Sequence, residues 1–281
     1  MTRLLRSRRV RAFFRNRTAV VGLFLALLMI ALALLAPFLA PCDPLVQNVR
    51  NALAPPSRLH LFGTDDLGRD VFSRVLFGAR VSLGVGLSSV LVGTVLGLVV
   101  GITAAFFGGW FELLIMRVVD VLMSFPVLIM GLMFMAILGP GMDKLIFAIG
   151  LVLAPQVARL AHGTTVALRD VDYVTAAKAL GASPFRILWR HVLPNIAGEI
   201  LVMATLWTAT AIRVEANLSF IGLGVSPPTP TWGNMIREGV KWLVVTPWPS
   251  IFPGLAILTT VLAFNMLGDG IRDALDPRLY C

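Results

Sequence analysis

Residues 80–106 read RVSLGVGLSSVLVGTVLGLVVGITAAF, an apolar stretch in which Arg80 is the only charged side chain. A helix needs about 20 residues to cross the hydrocarbon core of a bilayer, so this segment is long enough to span one. Its glycines would argue against a helix in water. In lipid, backbone N–H and C=O groups can bond only to one another, so a helix is the expectation. Working outward, the same test finds a span before it, at 18–36, and four after it, at 112–138, 143–161, 196–218 and 251–269. The expected fold class is therefore all-α, a polytopic membrane protein with six transmembrane helices. Six crossings return both chain ends to one side.

Composition agrees. Hydrophobic residues make up 57% of the 281 positions, charged residues only 14%, and the mean hydropathy is +0.85, values of an integral membrane domain. The formal net charge of +9 raises nucleic acid as a partner. However, Arg3, Arg6, Arg8, Arg9, Arg11, Arg15 and Arg17 all precede the first span, no acidic residue comes before Asp43, and no aromatic or glycine-rich recognition motif accompanies the charge. We expect no nucleic acid partner. Such a cluster reads as a cytoplasmic anchor facing anionic lipid. The run Ala19–Leu35 exceeds the apolar core of a signal peptide, and Pro41 before Cys42 fits a lipoprotein cleavage site poorly, so the segment is expected to stay as an anchor. Cys42 and Cys281 fall on opposite sides of the expected topology, and no disulfide or metal framework follows.

With the N-terminus cytoplasmic, Gly108-Gly109-Trp110 and the basic stretch holding Arg159, Arg169, Lys178, Arg186 and Arg190 are cytoplasmic too. Segments 37–79, 139–142 and 219–250 are external, although Arg50, Arg58, Arg69, Arg74 and Arg80 make the first less acidic than the rule favours. The organisation expected is a basic N-terminus at 1–17, a first span with its external loop at 18–79, a five-helix core at 80–270 and a cytoplasmic tail at 271–281. Within the external loop, Phe62-Gly63-Thr64-Asp65-Asp66-Leu67-Gly68-Arg69-Asp70 is rich in turn formers, and Val71, Phe72, Val75 and Leu76 share a helical face. A short interfacial helix is expected there, against a plain connecting loop. Gly93, Gly97 and Gly101 form a stripe on which another helix packs closely, either within the chain or from a second subunit. Arg117 and Asp120 are spaced to pair, and Pro126 is expected to kink its span.

Between the fourth and fifth spans lies a polar island, Asp172 to Asn195, DYVTAAKALGASPFRILWRHVLPN. Tyr173 to Leu180 is rich in helix formers, with Asp172 as the expected cap and Gly181 as the left-handed stop. Ser183 and Pro184 then start a second short helix, which Pro194 is expected to close. Phe185, Leu188 and Trp189 offer an apolar face, edged by Arg186, Arg190 and His191. A membrane protein has little reason to fold such an elbow in water unless something soluble docks on it.

The island also resembles the EAA loop of ATP-binding cassette (ABC) importer permeases: Glu-Ala-Ala, three residues, Gly, nine residues, Ile, any residue, Leu-Pro. Here Thr175-Ala176-Ala177, Gly181, and His191-Val192-Leu193-Pro194 keep every spacing. More narrowly, the chain is similar over roughly 60–280 to the second permease type of oligopeptide, dipeptide and nickel importers. The carriers are Leu61 to Asp70, Gly78 to Leu83, Arg117-Val118-Val119-Asp120, Leu218 to Val225, Trp232-Gly233-Asn234-Met235, Phe264 to Gly270, and Asp276-Pro277-Arg278. The resemblance implies a type I importer permease fold and a coupling role for Thr175, Ala176, Ala177, Gly181, Phe185, Arg186, His191, Leu193 and Pro194. Implied partners are a second permease, more a different chain than a copy, two cytoplasmic ABC ATPases and an extracytoplasmic substrate-binding protein. Thr175 replaces the family's usual Glu, so an ion pair from that position is not available. His191 replaces the general Ile, as the peptide subgroup often has it.

No Gly-x-x-x-x-Gly-Lys-Ser/Thr phosphate loop occurs, so no cofactor is expected in this chain, and ATP and Mg belong to the partner ATPases. Ionisable residues inside spans are costly and point to a pathway. Arg213 and Glu215, with Asn217 beside them, are the substrate-pathway candidates, weighed against structural pairing near the external surface. Two apart on a helix, Arg213 and Glu215 should not pair with each other. An ion-gradient-driven secondary transporter would use the same charges but leaves the island unexplained. An intramembrane enzyme lacks a His-Glu-x-x-His site, and Ser219 has no evident base on its own span.

Overall fold

The computed structural model describes residues 13–169 and 171–275. Arg3 to Arg11, Asp276-Pro277-Arg278 and Cys281 therefore lie outside the described residues. Those described are almost wholly helical. Besides a short helix at Ala36–Leu39 and a 3-10 turn at Val49–Asn51, the helices in chain order are α1 (Arg17–Leu34), α2 (Val71–Phe107), α3 (Gly109–Met123), α4 (Val127–Leu138), α5 (Met142–Arg169), α6 (Asp172–Ala179), α7 (Pro184–Ile187), α8 (Leu193–Ile221), α9 (Trp232–Val240) and α10 (Trp248–Leu275). The stretch from α7 through α8 is continuous enough to count as one span. With it, α1, α2, α5 and α10 are each long and apolar enough to cross a membrane, and α3 with α4 makes a sixth span if that bent pair is taken together.

The centre is the pair α2 and α5, and its closeness follows from the glycine stripe. A Cβ on Gly93 would stand 2.8 Å from the Gly150 carbonyl oxygen, and one on Gly97 2.6 Å from that of Ala154. Gly101 faces the Ala158 backbone in the same way. The stripe is thus used inside the chain. Leu145, Ile149, Leu153 and Val157 of α5 join Val85 of α2 and Trp207, Ala211 and Leu218 of α8 in the main apolar core. A second cluster, Met29, Ala33, Leu83, Ile212, Trp232 and Phe264, ties α1, α2, α8 and α10 together.

Four local expectations are corrected. No separate interfacial helix follows Asp70: Asp70 caps α2 through a 2.8 Å bond from the Ser73 amide, and Val71 starts a helix that runs unbroken to Phe107. The boundary expected at residue 80 falls inside it, and α10 likewise continues past 270 to Leu275. The kink at Pro126 is a break, since α3 and α4 meet at 101° across Ser124 to Pro126. Proline at that point cannot supply the amide that would continue α3. Asp120 pairs with Arg159 of α5 rather than with Arg117, because α3 lies along α5 and brings an opposite charge from another helix.

The start of α1 and the last turn of α10 come together. Asn16 caps α1, its Oδ1 accepting from the Thr18 amide at 3.0 Å, and its Nδ2 donates to Asp273 of α10 at 3.0 Å. Gly198, near the start of α8, faces Leu275, so the Asp172–Val192 elbow shares that side.

Candidate functional site

The elbow begins where α5 ends. α6 opens on Val171, which makes no side-chain cap, so Asp172 is not the cap but sits in the first turn, where a carboxylate favours the positive helix end. At its far end the Gly181 amide donates to the Lys178 carbonyl at 2.9 Å and the Ala182 amide to that of Ala177 at 3.0 Å, a Schellman closure. It requires a left-handed residue, and Gly181 has φ of +78°. Ser183 then accepts from the Arg186 amide at 3.4 Å, and Pro184 opens α7.

Pro194 does not close this helix. Residues 188–192 form a π-helical turn in which the Leu193 amide reaches the Leu188 carbonyl, and the helix passes through Pro194 into α8. A proline interior to a regular helix clashes with the carbonyl four residues back; the wider turn gives that carbonyl room. The elbow is therefore an arm rigidly joined to α8. Asn195 secures it, its Nδ2 donating to the Tyr173 hydroxyl at 3.2 Å and to the His191 carbonyl at 2.5 Å, which joins α6 to the base of α8.

Val174, Ile187 and Val192 are buried in the main core, fixing the inner face of the elbow. The outer face is apolar and bare: Leu180 is 88% exposed, Phe185 70% and Trp189 59%, with the Phe185 and Trp189 rings 5.9 Å apart. Thr175, Ala176, Gly181, Arg186 and Pro194 are also exposed, while Ala177, His191 and Leu193 are partly covered. Sequence reasoning singled out Phe185 and Trp189 but missed Leu180. Its signal was its place directly before the Gly stop, where a helix projects its last side chain.

Within the membrane-spanning region, α8 separates the three pathway candidates. Glu215 is fully buried and accepts from Ser219 at 2.8 Å, whereas Arg213 and Asn217 are exposed on the other face. Arg213, Asn217 and Phe220 line an open groove of about 230 Å³ whose far wall is Ile236 of α9 and Ile257 of α10. The structure thus keeps Arg213 with Asn217 and removes Glu215 from their company.

At the side away from the elbow, the turn-rich segment before α2 is an ionic hub that sequence reasoning did not foresee. Arg69 donates to Asp65 at 2.6 Å and to Glu238 of α9 at 2.8 Å; Arg74 reaches Glu238 at 3.1 Å and lies 3.4 Å from Asp65. Glu238 lay far off in sequence, so only tertiary packing could reveal it. Beside the hub, the Trp232 indole donates to the Val75 carbonyl at 3.0 Å, and Gly233 lets α9 approach Ala216 and Ser219 of α8. The loop and α9 together therefore clamp the ends of α2 and α8. Nearer the elbow, His162 of α5 meets Glu112 of α3 at 2.6 Å, in line with the Asp120–Arg159 pair.

Comparison with known proteins gives this geometry a context. Residues 93–280 match the family model described as binding-protein-dependent transport system inner membrane component, and residues 5–56 match the N-terminal TM domain of oligopeptide transport permease C. The chain is 41% identical over 265 residues to the dipeptide transport system permease protein DppC of Alkalihalophilus pseudofirmus, covering 94% of this chain and 87% of that protein. It is 43% identical over 270 residues to the glutathione transport system permease protein GsiD of Pectobacterium atrosepticum, covering 96% and 90%. Among solved structures, a chain of the inward-facing MetNI methionine ABC transporter superposes with a TM-score of 0.58 at 18% identity, covering 72% of this chain and 97% of that one. That likeness is one of fold.

Proposed function

We propose, from the premise that this chain belongs to the family of binding-protein-dependent transport system inner membrane components, that it is one of two permease subunits of an ABC importer for small peptides or peptide-like solutes. The dipeptide and glutathione systems of its relatives support the solute class. Its orientation follows the arginine-rich N-terminus, with both ends and the elbow in the cytoplasm. A second permease, of a different type, completes the passage; a soluble binding protein delivers solute on the outer side; and two cytoplasmic ATPases bind the ATP and Mg.

The observation that carries this reading is the elbow's two-sidedness. Val174, Ile187 and Val192 tie it into the core, while Leu180, Phe185 and Trp189 stand bare, with nothing among the described residues to cover them. A bare apolar face of this kind on a soluble elbow is a protein contact. Seated in a groove on the ATPase, the elbow passes any displacement directly to α5, which ends at Arg169, and through the π turn to α8. Closure of two ATPases on ATP would draw two such elbows together as rigid bodies, biasing the permease pair between inward- and outward-open states. Because Thr175 carries no charge, docking rests on apolar burial with Arg186 and Lys178 at its edge. α8 would then carry Arg213 and Asn217 along the solute pathway, with Glu215 an internal brace.

Affinity purification of the assembled importer tests this. The wild-type subunit should bring down both a second permease and an ATPase, and Leu180→Asp with Phe185→Asp should lose the ATPase alone. An ATPase that stays bound to the double variant, with undiminished uptake, would remove the elbow from the mechanism.

A further inference from the structure

We infer that Arg213, with Asn217 one helical turn beyond it, holds a carboxylate group of the solute in transit. The inference rests on the pathway reading above and adds the chemistry that the pathway recognises.

Four observations carry it. Arg213, Asn217 and Phe220 fall at i, i+4 and i+7 on α8 and form one exposed stripe, while Ile212, Glu215, Leu218 and Ser219 fill the opposite, buried face. Arg213 stands eight residues before the Ile221 end of α8, about 12 Å along the axis at the rise of an α-helix. A guanidinium at that depth is too costly to leave facing lipid, so the stripe faces water or protein. Among the described residues, no carboxylate forms an ion pair with Arg213, and the acid nearest in sequence, Glu215, points the other way and is engaged by Ser219. Arg213 therefore offers its charge outward from the subunit.

The groove has the shape such a group needs. Its polar edge is Arg213 and Asn217, its apolar wall Phe220, Ile236 and Ile257, and its volume about 230 Å³. A guanidinium is a planar fork that meets both oxygens of a carboxylate, and the Asn217 amide can donate to an oxygen from one turn away. The apolar wall then meets the side chain next to the carboxylate. A small peptide has both parts, a terminal carboxylate and an adjacent side chain. Glu215 would serve differently: its bond to Ser219 lies within α8 and keeps the carboxyl on the buried face, away from the stripe.

The experiment uses the complete importer in lipid nanodiscs, with Cys42→Ser and Cys281→Ser to remove background thiols and Phe220→Cys as reporter. This leaves Arg213 and Asn217 in place. The reporter is exposed to three methanethiosulfonates bearing a carboxyethyl, a methyl or a trimethylammonioethyl group, with each rate divided by that of a free thiol. The carboxylate reagent should react about tenfold faster than the cationic one, as a cleft of one charge sign concentrates its counterion. Arg213→Gln should abolish that preference and Arg213→Lys retain most of it. Equal rates for all three reagents, unchanged by Arg213→Gln, would show a wet groove without anion recognition and overturn the carboxylate assignment alone. No reaction with any reagent would show a dry groove and overturn the pathway reading too. Loss of the second permease from the Arg213→Gln complex on size exclusion would place the carboxylate on that subunit and refute a solute contact.

Discussion

Gly181 isolates one backbone angle from every other influence. Its φ of +78° closes the Schellman turn, and a Cβ built there would meet no atom within 4 Å, so a side chain is penalised by stereochemistry and not by crowding. The left-handed region costs an ordinary residue roughly 1–2 kcal/mol, more for a β-branched one, and asparagine least. Gly181→Val should therefore let the subunit insert and assemble but distort the elbow, so that ATP hydrolysis continues while uptake falls several-fold. Gly181→Asn should keep most uptake. The check is uptake per ATP hydrolysed in proteoliposomes of the full importer; a Val variant with wild-type coupling would show that the turn is not needed. This glycine was legible in sequence because helix formers precede it and Ser-Pro follows. Arg74 is the opposite case. It reads as a stray charge beside a span, yet it is 2% exposed and paired with Asp65 and Glu238, and no local pattern announces a partner so far along the chain.

Helices were legible where apolar runs have no competitor, and misjudged where a polar residue is answered by tertiary structure. The span read at 80–106 begins nine residues earlier, at Val71, since Ser73 and Arg74 look like the end of an apolar run until their buried partners are known. The single span read at 112–138 is two helices because the local signal, Pro126, fixes where the chain breaks but not the 101° through which it turns. Pro194 misled for the same reason, as the π turn that accommodates it depends on packing around Val192 and Ile196. The glycine stripe, by contrast, was visible at once, and its partner is now named. Gly97→Leu would drive a side chain into Ala154 and Val157 of α5. Overpacking of this kind costs about 1–3 kcal/mol. The purified importer should lose several degrees in thermal unfolding, whereas Gly84→Ala, whose Cβ meets nothing within 4 Å, should unfold as wild type does. Equal melting of the two variants would mean that α2 and α5 do not pack through the stripe.

For the molecule as a whole, the distribution of bare surface determines what the chain does alone. The start of α1 meets the last turn of α10 through Asn16 and Asp273, the far side is clamped by the Asp65, Arg69, Arg74 and Glu238 hub, and the core is filled by α2, α5 and α8. The faces left open are of two kinds. Along α3 and α4, Leu114, Val118, Val121, Ile129, Met133 and Ile137 are exposed and apolar, suited to lipid or to another membrane subunit. The elbow and the Arg213 groove are exposed and chemically specific, but neither encloses a passage, since the groove is open along its length. A solute crossing beside α8 needs a second wall, and net movement against a gradient needs energy that a conduit does not generate. Proteoliposomes holding this subunit alone, supplied with ATP and a radiolabelled dipeptide on the outer side, should therefore accumulate no label above empty vesicles. Adding the second permease and the ATPases, with the binding protein outside and ATP inside, should start accumulation, and Leu180→Asp with Phe185→Asp should stop it again. Accumulation by the isolated chain, driven by an imposed proton or sodium gradient, would mean that the subunit closes its own pathway and that the bare elbow serves something other than an ATPase.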